Sequence, residues 1–296
     1  MRVSTLQNQN IDILQNNHKL YERIRTNDQN ETWYILYNQV DSFINNNTDT
    51  ISDIFRDGFK QLSLKPDVIP NMNYLNKQLQ TTGWRISYVY GFISTYQFAY
   101  LLTNRMYPIN INIRAKKQVL YSAEPDLIHD IIGHLPILFS EEMRLLLSTW
   151  AHYTMQQREH KIDISLYQLN VKIILENLLP VPDKHKINNL KKQLDNLHKK
   201  MSYKPSPIWL LGNFFDWVFE FGLLKSSNQY KVLGAAIITS IQEMKSVHNN
   251  INRIYPLNTK TLNSSIAYTT NQKNYYYTSS CTDYFSLLRL LISNIQ

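Results

Sequence analysis

Two histidines, His129 and His134, stand five residues apart in the segment Tyr121-Ser122-Ala123-Glu124-Pro125-Asp126-Leu127-Ile128-His129-Asp130-Ile131-Ile132-Gly133-His134-Leu135-Pro136. Imidazole is the commonest metal ligand in proteins, and two converging rings make half a site. On an ideal α-helix, residues five apart point ~140° away from one another, so the spacing predicts a helix that ends or bends between them. Gly133 and Pro136 permit this. A helix stopping at Gly133 would turn His134 back towards the point that His129 faces. The pair alone is a weak signal and is better read as a core histidine beside a helix-cap histidine. A third donor sharpens it. In Asn213-Phe214-Phe215-Asp216-Trp217-Val218-Phe219-Glu220-Phe221-Gly222-Leu223-Leu224, Glu220 sits inside an otherwise apolar run. An unpaired buried carboxylate is costly or is forced to protonate, and a metal ion removes that cost. Asp216 lies four residues earlier, on the same helical face. Two histidines and one carboxylate leave coordination positions open, the facial arrangement of non-haem Fe(II) and oxygen chemistry. The same donors would also serve a zinc hydrolase.

The elements that must position these groups read as mostly α with minor β. Residues 1–80 are rich in Asn and Gln but carry helical apolar spacing, as in Trp33, Ile35, Leu36, Val40, Phe43 and Ile44, then Ile51, Ile54, Phe55, Phe59 and Leu62. This predicts two or three amphipathic helices, separated at Asp41 or at Asn47-Thr48. Alternation from Trp84 to Tyr90 predicts a strand, Thr95 to Arg105 a helix, and Ile109, Ile111 and Ile113 a second short strand after Pro108. Residues 123–150 read as helix interrupted around Gly133 to Pro136. Residues 166–179 read as a helix broken by Pro180 and Pro182. Ile187, Leu190, Leu194, Leu197 and Met201 then repeat at spacings of three and four, a two-heptad seam. Together they predict a helical hairpin near 155–205, decorated by Lys184, Lys186, Lys191, Lys192, Lys199 and Lys200 and closed by Lys204-Pro205-Ser206-Pro207. Residues 208–224 and 230–247 read as two further helices. The Tyr-rich region 250–283 has room for short strands. Asp283 reads as the cap of a last helix, with Tyr284, Phe285, Leu287, Leu288, Leu290 and Leu291 as its buried side.

Composition sets the outer limits. A chain of 296 residues, 43% hydrophobic and 18% charged, can bury a sizeable core without disulfide or metal support. Cys281 is the single cysteine, which excludes an internal disulfide and fits a reducing compartment. The start MRVSTLQNQN is too polar for a signal peptide, and no apolar run reaches the ~20 residues of a membrane helix. A cytoplasmic protein without membrane partners is expected. The net charge of +8 is scattered, apart from the lysines near 184–204, and no zinc-finger or RNP-like pattern accompanies it. Nucleic acid is therefore not an expected partner.

Four ordered blocks resemble the tetrahydropterin-dependent aromatic amino-acid hydroxylases, the family of phenylalanine, tyrosine and tryptophan hydroxylases. Glu124 to Pro136 resembles the family's EPDxxHDxxGHxP signature. Phe219-Glu220-Phe221-Gly222-Leu223 resembles its later EFGL block. Gly234-Ala235-Ala236-Ile237-Ile238-Thr239-Ser240-Ile241-Gln242-Glu243 resembles its Gly-Ala-x-x-x-Ser-Ser-x-x-Glu block. Leu102-Thr103-Asn104-Arg105-Met106-Tyr107-Pro108 with Ile113-Arg114 is similar to the bacterial, phenylalanine 4-hydroxylase-like branch. The resemblance runs from about Tyr88 to Ser140 and from Ile208 to Met244, with a fainter echo from Tyr275 to Leu291.

The resemblance implies a fold and a set of roles. The fold would be the family's catalytic domain, one domain over 1–296. It would comprise a helical part at 1–80, a pterin- and iron-binding core at 81–150, the inserted hairpin at 155–205, and the rest of the core with a C-terminal helix at 206–296. His129, His134 and Glu220 match the iron ligands and catalytic centre. Arg114 matches the arginine that holds the substrate carboxylate, a task for a planar bidentate donor. Ser122 stands for a pocket threonine, and Pro125 and Phe221 match residues walling the aromatic ring. Asp126 matches a carboxylate that would orient Arg114 or a ligand histidine. Thr239 stands where the family has a serine near a ligand histidine, and Ser240 and Glu243 match polar residues behind the pocket. The backbone of Gly91-Phe92-Ile93-Ser94 would contact the pterin, Phe98 would stack on it, and Asp130 would be an acid near it. Phe215 stands where the family usually has a tyrosine beside the iron.

Three departures matter. Asp216 replaces a Trp or Phe that contacts the substrate ring. It would accept from an indole N–H or a water, or turn away and leave the space to Trp217. Ala236 replaces a glycine. The interval from His134 to Glu220 is about twice the family's usual length, and the surplus is the hairpin. The implied reaction is hydroxylation of the ring of a free aromatic amino acid, with Fe(II), tetrahydrobiopterin or a related tetrahydropterin, and dioxygen as cosubstrate. L-Phenylalanine to tyrosine is the first expectation. Tryptophan hydroxylation or meta-attack on phenylalanine is the alternative, and a non-catalytic, partner-binding member a more distant one. A monomer is expected, with the hairpin as a surface for self- or partner-association.

Overall fold

The computed structural model describes residues 25–114, 116, 126–177, 179, 181–249, 251–264, 266 and 271–295. The N-terminal part holds α1 (Asn27–Asn46), α2 (Asp53–Leu62) and α3 (Met72–Leu79). A capping box starts α1: the Thr26 hydroxyl accepts from the Gln29 N–H while Gln29 Oε1 accepts from the Thr26 N–H. Trp33, Leu36, Val40 and Ile44 face inward at helical spacing. The Trp33 indole N–H donates to the Lys65 carbonyl at 2.9 Å, so the buried ring has no orphan donor.

A parallel βαβ unit follows, with β1 (Arg85–Val89), α4 (Thr95–Thr103) and β2 (Met106–Asn110). The second strand begins earlier than the isoleucine alternation predicted and runs through Pro108. The Ile111 N–H points at the Val89 carbonyl, so alternation turns the Pro108 nitrogen to the open edge, where no donor is needed.

The chain then forms a π-helical turn (His129–His134), a 3-10 turn (Leu135–Phe139) and α5 (Glu141–Gln156). The expected hairpin is present as α6 (Lys161–Asn177) and α7 (Lys184–Tyr203). Leu166, Leu169 and Ile173 are buried on α6, and Ile187 and Met201 on α7. These five residues stand outside the continuous hydrophobic cluster that runs from Trp33 to Ile292. Ser206 caps α8 (Pro207–Phe215), and a second π-helical turn (Asp216–Glu220) completes that element.

The C-terminal part differs more from expectation. Residues 208–224 are not one helix: the chain leaves the π turn at Phe221 and enters β3 (Gly222–Ser226). Residues 230–247 begin as β4 (Gln229–Val232), which pairs antiparallel with β3, and only then form α9 (Ala235–Ile238) and α10 (Ile241–Asn249). Short segments without a clear period read alike as helix or strand, and pairing decides. β5 (Ile254–Pro256) and β6 (Tyr275–Thr278) complete a four-stranded sheet in the order β4-β3-β6-β5. The last helix, α11 (Cys281–Ile295), starts two residues before Asp283. Asp283 lies in its first turn and accepts from the Ser279 and Ser280 N–H groups, while Ser280 accepts from Asp283. Leu290, expected on the buried side, is exposed. No helix among the described residues is long and apolar enough to cross a membrane.

Candidate metal centre

The five-residue interval between His129 and His134 is accommodated by widening the helix, not by ending it. A π-helix closes i→i+5 rings, so residues five apart stack on one face. The expected break at Gly133 is therefore absent. Gly133 serves another purpose: a Cβ there would lie 2.7 Å from the Ala235 Cβ, so its absence lets α9 press against the turn. Glu220 ends the second π turn, in which the Phe221 N–H reaches back to the Asp216 carbonyl at 2.9 Å. Each ligand-bearing segment thus departs from α geometry at the ligand itself.

The three side chains converge. His129 Nε2 lies 3.1 Å from His134 Nε2 and 3.2 Å from Glu220 Oε2, and His134 Nε2 lies 3.0 Å from Glu220 Oε1. They form the group among the described residues whose donor atoms lie close enough together for one ion. Thr239 sets the tautomer of His129. Its hydroxyl donates to the Ala235 carbonyl at 2.8 Å, so at 2.9 Å it accepts from His129 Nδ1–H. Nε2 then carries its lone pair towards His134 and Glu220. Burial resists ionisation of Glu220, but His134 and His129 outweigh it and hold the carboxyl well below the usual range. Burial pulls His134 down, which keeps it neutral despite Glu220. Burial also pulls on His129, but Glu220 more than offsets this and raises it. A cation at the convergence point would replace that proton and satisfy three inward-facing donors at once. The site fits a divalent metal with two nitrogen ligands, one oxygen ligand and open positions, the set suited to non-haem Fe(II).

Asp126 ties this centre to Arg114. Its Oδ2 accepts from the Arg114 N–H and Nε–H, both at 2.8 Å, and its Oδ1 accepts from Arg114 Nη2–H and the His129 N–H, both at 2.9 Å. One carboxylate therefore orients both the arginine and the backbone of a ligand histidine. Asp130 Oδ2 accepts from the Asn110 N–H at 2.7 Å, and Asn110 Nδ2 donates to the Gly91 carbonyl at 3.3 Å. Burial pushes the Asp130 carboxyl up to about 7, against the pull of His129 and of the Asn110 N–H.

The other expected site residues fall around this frame. Gly91 takes a left-handed φ of 67°, with open space where a Cβ would stand. Phe92 is exposed, Ile93 packs on Val89 and Leu101, and Ser94 caps α4 in a box with Gln97 that occupies its own amide. Phe98 is half-buried, with its ring centroid 4.9 Å from Phe215 and 5.8 Å from Tyr107. Phe215 also meets Trp150, Phe219 and His134. Phe221 and Trp217 pack together, and Trp217 lies edge-on to Tyr276 at 4.7 Å. Asp216 is half-buried at the head of its turn. Ser240 caps α10 by accepting from the Glu243 N–H, and Glu243 accepts from the Gln272 N–H and the Tyr275 hydroxyl. Ser122 and Pro125 lie outside the described residues.

Two residues at the centre have no role that the sequence alone suggests. Asn110 links Asp130 to Gly91. Tyr107 is fully buried with its ring 5.4 Å from that of His134. Its hydroxyl has no hydrogen-bond partner among the described residues. Burial, with Glu220 and Asp130 adding, raises it well above the usual phenol value. The available signal is a tyrosine in a strand flanked by apolar residues, but a packed strand tyrosine has the same pattern.

Residues 8–149 and 201–296 match the family of biopterin-dependent aromatic amino acid hydroxylases. The unmatched stretch contains α6 and nearly all of α7. The chain is 34% identical over 110 residues to phenylalanine-4-hydroxylase of Chromobacterium violaceum, covering 37% of this chain and 36% of that one. It is 39% identical over 85 residues to the Pseudomonas aeruginosa enzyme, covering 28% and 32%. A longer match, 25% identical over 258 residues, covers 86% of this chain and 48% of phenylalanine-4-hydroxylase of Dictyostelium discoideum. The matched segments thus span less than half the length of these relatives. The fold resembles the apo structure of the cold-active phenylalanine hydroxylase from Colwellia psychrerythraea, with TM-score 0.68, 20% identity and coverage of 92% of this chain and 87% of that one. It also resembles the Chromobacterium violaceum enzyme with bound iron(III) and 7,8-dihydrobiopterin, with TM-score 0.67, 20% identity and coverage of 93% and 85%.

Proposed function

The chain belongs to the biopterin-dependent aromatic amino acid hydroxylase family, and from that premise we propose that it hydroxylates the ring of a free aromatic amino acid, L-phenylalanine to tyrosine first. The observation that carries this is the convergence of buried His129 and His134 with half-buried Glu220 at 3.0–3.2 Å, braced through Asp126 to Arg114. Fe(II) and a tetrahydropterin, when bound, supply the activation of dioxygen. The chain's own groups hold and orient. His129 keeps its lone pair inward because Thr239 takes its other proton. Arg114 is locked by Asp126 through Nε–H and one Nη2–H, so the Nη1–Nη2 edge is the one that would meet a substrate carboxylate. Holding the substrate there places its ring relative to the metal and decides which carbon reacts. Phe221 and Pro125 would wall the ring, and Ser122 would bring a hydroxyl to the substrate pocket. Phe98 and Phe215 would face the pterin, with Gly91 to Ser94 as its backbone cradle and Asp130 beside it.

Asp216 favours a second reading. An acid where relatives place an aromatic gives a substrate N–H an acceptor, so tryptophan, or attack at another ring carbon, is the alternative. The domain partition proposed is one catalytic domain over 1–296 with the hairpin at 155–205 inserted. The continuous hydrophobic cluster from Trp33 to Ile292, which leaves the hairpin seam out, supports it. The single cysteine accords with a cytoplasmic location, and we take the monomer as the working state.

The test is an anaerobically Fe(II)-loaded sample given tetrahydrobiopterin, oxygen and each aromatic amino acid in turn, with products identified by mass and retention time. A product heavier by one oxygen is expected from phenylalanine. Hydroxylation of tryptophan alone would move the assignment to the second reading. Full iron occupancy with no hydroxylated product from any of them would overturn the activity.

A further inference from the structure

The stretch outside the family match is not detached from the site. Tyr167, midway along α6, stacks its ring on Phe92, with centroids 5.9 Å apart and planes 26° from parallel. Phe92 follows Gly91 in the loop proposed to cradle the pterin. From within, Asn110 Nδ2–H holds that loop through the Gly91 carbonyl at 3.3 Å. On its outer side Phe92 remains 42% exposed even with Tyr167 against it. An exposed phenylalanine next to a left-handed glycine has little else to fix its direction.

The hairpin that brings Tyr167 there is rigid enough to act as a brace. Its two helices pack on each other, with Leu166, Leu169 and Ile173 buried on one and Ile187 and Met201 on the other. Its root is tied to the catalytic core where the Ser206 hydroxyl donates to Asp163 Oδ1 at 2.5 Å, on the first turn of α6. The His198 ring packs on Trp209 of α8 at 5.1 Å. Asp163 and Tyr167 are four residues apart, so the tied turn and the stacking ring share one helical face.

We propose that Tyr167 is a positioning residue for the pterin: the inserted hairpin holds Phe92, and through it the Gly91–Ser94 loop, in the shape that receives the cofactor. This rests on the reading of that loop as the pterin site. An aromatic pair of this kind corresponds to about a two- to tenfold change in a linked equilibrium. The hairpin therefore acts on the cofactor side of the centre, and the Arg114 side is independent of it.

The test uses the full chain with Tyr167→Ala and Tyr167→Phe. Dissociation constants for 7,8-dihydrobiopterin are measured by calorimetry, Fe(II) affinity by chelator competition, and amide exchange of residues 91–94 by mass spectrometry. Tyr167→Ala is expected to weaken dihydrobiopterin about two- to tenfold and to speed exchange in the loop, with Fe(II) affinity and the KM for the amino acid unchanged. Tyr167→Phe keeps the ring and is expected to restore both. Equal dihydrobiopterin affinity in parent and Tyr167→Ala overturns the inference, as does weaker binding without faster loop exchange, or a parallel loss of iron and amino-acid affinity. A parent protein that binds iron but no dihydrobiopterin overturns the reading of the loop itself, and the brace with it.

Discussion

Thr239→Val removes one hydroxyl and nothing else of comparable size. In the parent, that oxygen accepts from His129 Nδ1–H at 2.9 Å and donates to the Ala235 carbonyl at 2.8 Å. The substitution leaves a buried N–H without its acceptor, a loss of about 1–3 kcal/mol. Partners that orient a ligand histidine are worth about 10–100-fold in metal affinity, which is about 1.4–2.7 kcal/mol. The two magnitudes agree, but they fall on different states. Without metal, His129 can move its proton to Nε2 and donate to Glu220 Oε2, 3.2 Å away, which relieves part of the loss. With metal, Nε2 must carry a lone pair and the proton must return to Nδ1, now facing a methyl group. Metal affinity should therefore fall more than apo stability. Anaerobic competition for Fe(II) against a chromogenic chelator, alongside urea unfolding of the apo protein, measures both. Thr239→Val should bind Fe(II) about 10–100-fold more weakly with an apo stability loss at the low end of the hydrogen-bond range, while Thr239→Ser should stay near the parent. Fe(II) affinity within twofold of the parent for Thr239→Val, or a Ser variant as weak as the Val variant, would refute the tautomer argument.

Gly133→Ala should destabilise the protein by about 1–3 kcal/mol in urea unfolding and weaken Fe(II) binding as well. Its Cβ would meet the Ala235 Cβ at 2.7 Å and the Ala235 Cα at 3.1 Å, so the segment that carries Thr239 must shift. Arg114→Ala should reduce stability by about 3–5 kcal/mol as well as impair amino-acid binding, because it strands the buried Asp126 carboxylate. A variant that loses substrate affinity at full stability would show that the ion pair is not structural. Burial, with Glu142 adding, pushes the Cys281 thiol up to about 12. The native protein should resist iodoacetamide at a pH of about 8 and react fully once unfolded, read as a mass shift. With the folded pKa above the unfolded one, this group's contribution is intact below pH about 9 and is lost as the pH rises towards about 12, so Cys281→Ala should flatten the alkaline fall in stability.

What the sequence could determine was local chemistry and periodicity. Glu220 in an apolar run announced a buried carboxylate in need of a counter-charge, and the structure sets two imidazoles against it. The seam from Ile187 to Met201 announced a helical hairpin, because a repeat of three and four allows no other regular partner face. Where an apolar run had no single period, pairing decided. Gly222–Leu224 and Tyr230–Val232 became strands because each met the other across a turn, and nothing within either segment contains that partner. The His129–His134 interval required a departure from α geometry, but that the helix widens to a π turn, and that α9 packs against its Gly133 from more than a hundred residues away, was not in the segment itself. The same distance separates Thr239 from the histidine whose proton it places. Neither Tyr107, ahead of the expected strand, nor Asn110 within it stood out in the sequence until folding set one ring beside His134 and one amide between Asp130 and Gly91. Residue types carry the chemistry; which proton, which face and which neighbour are properties of the packed chain, because each depends on atoms brought together only when distant segments close on one another.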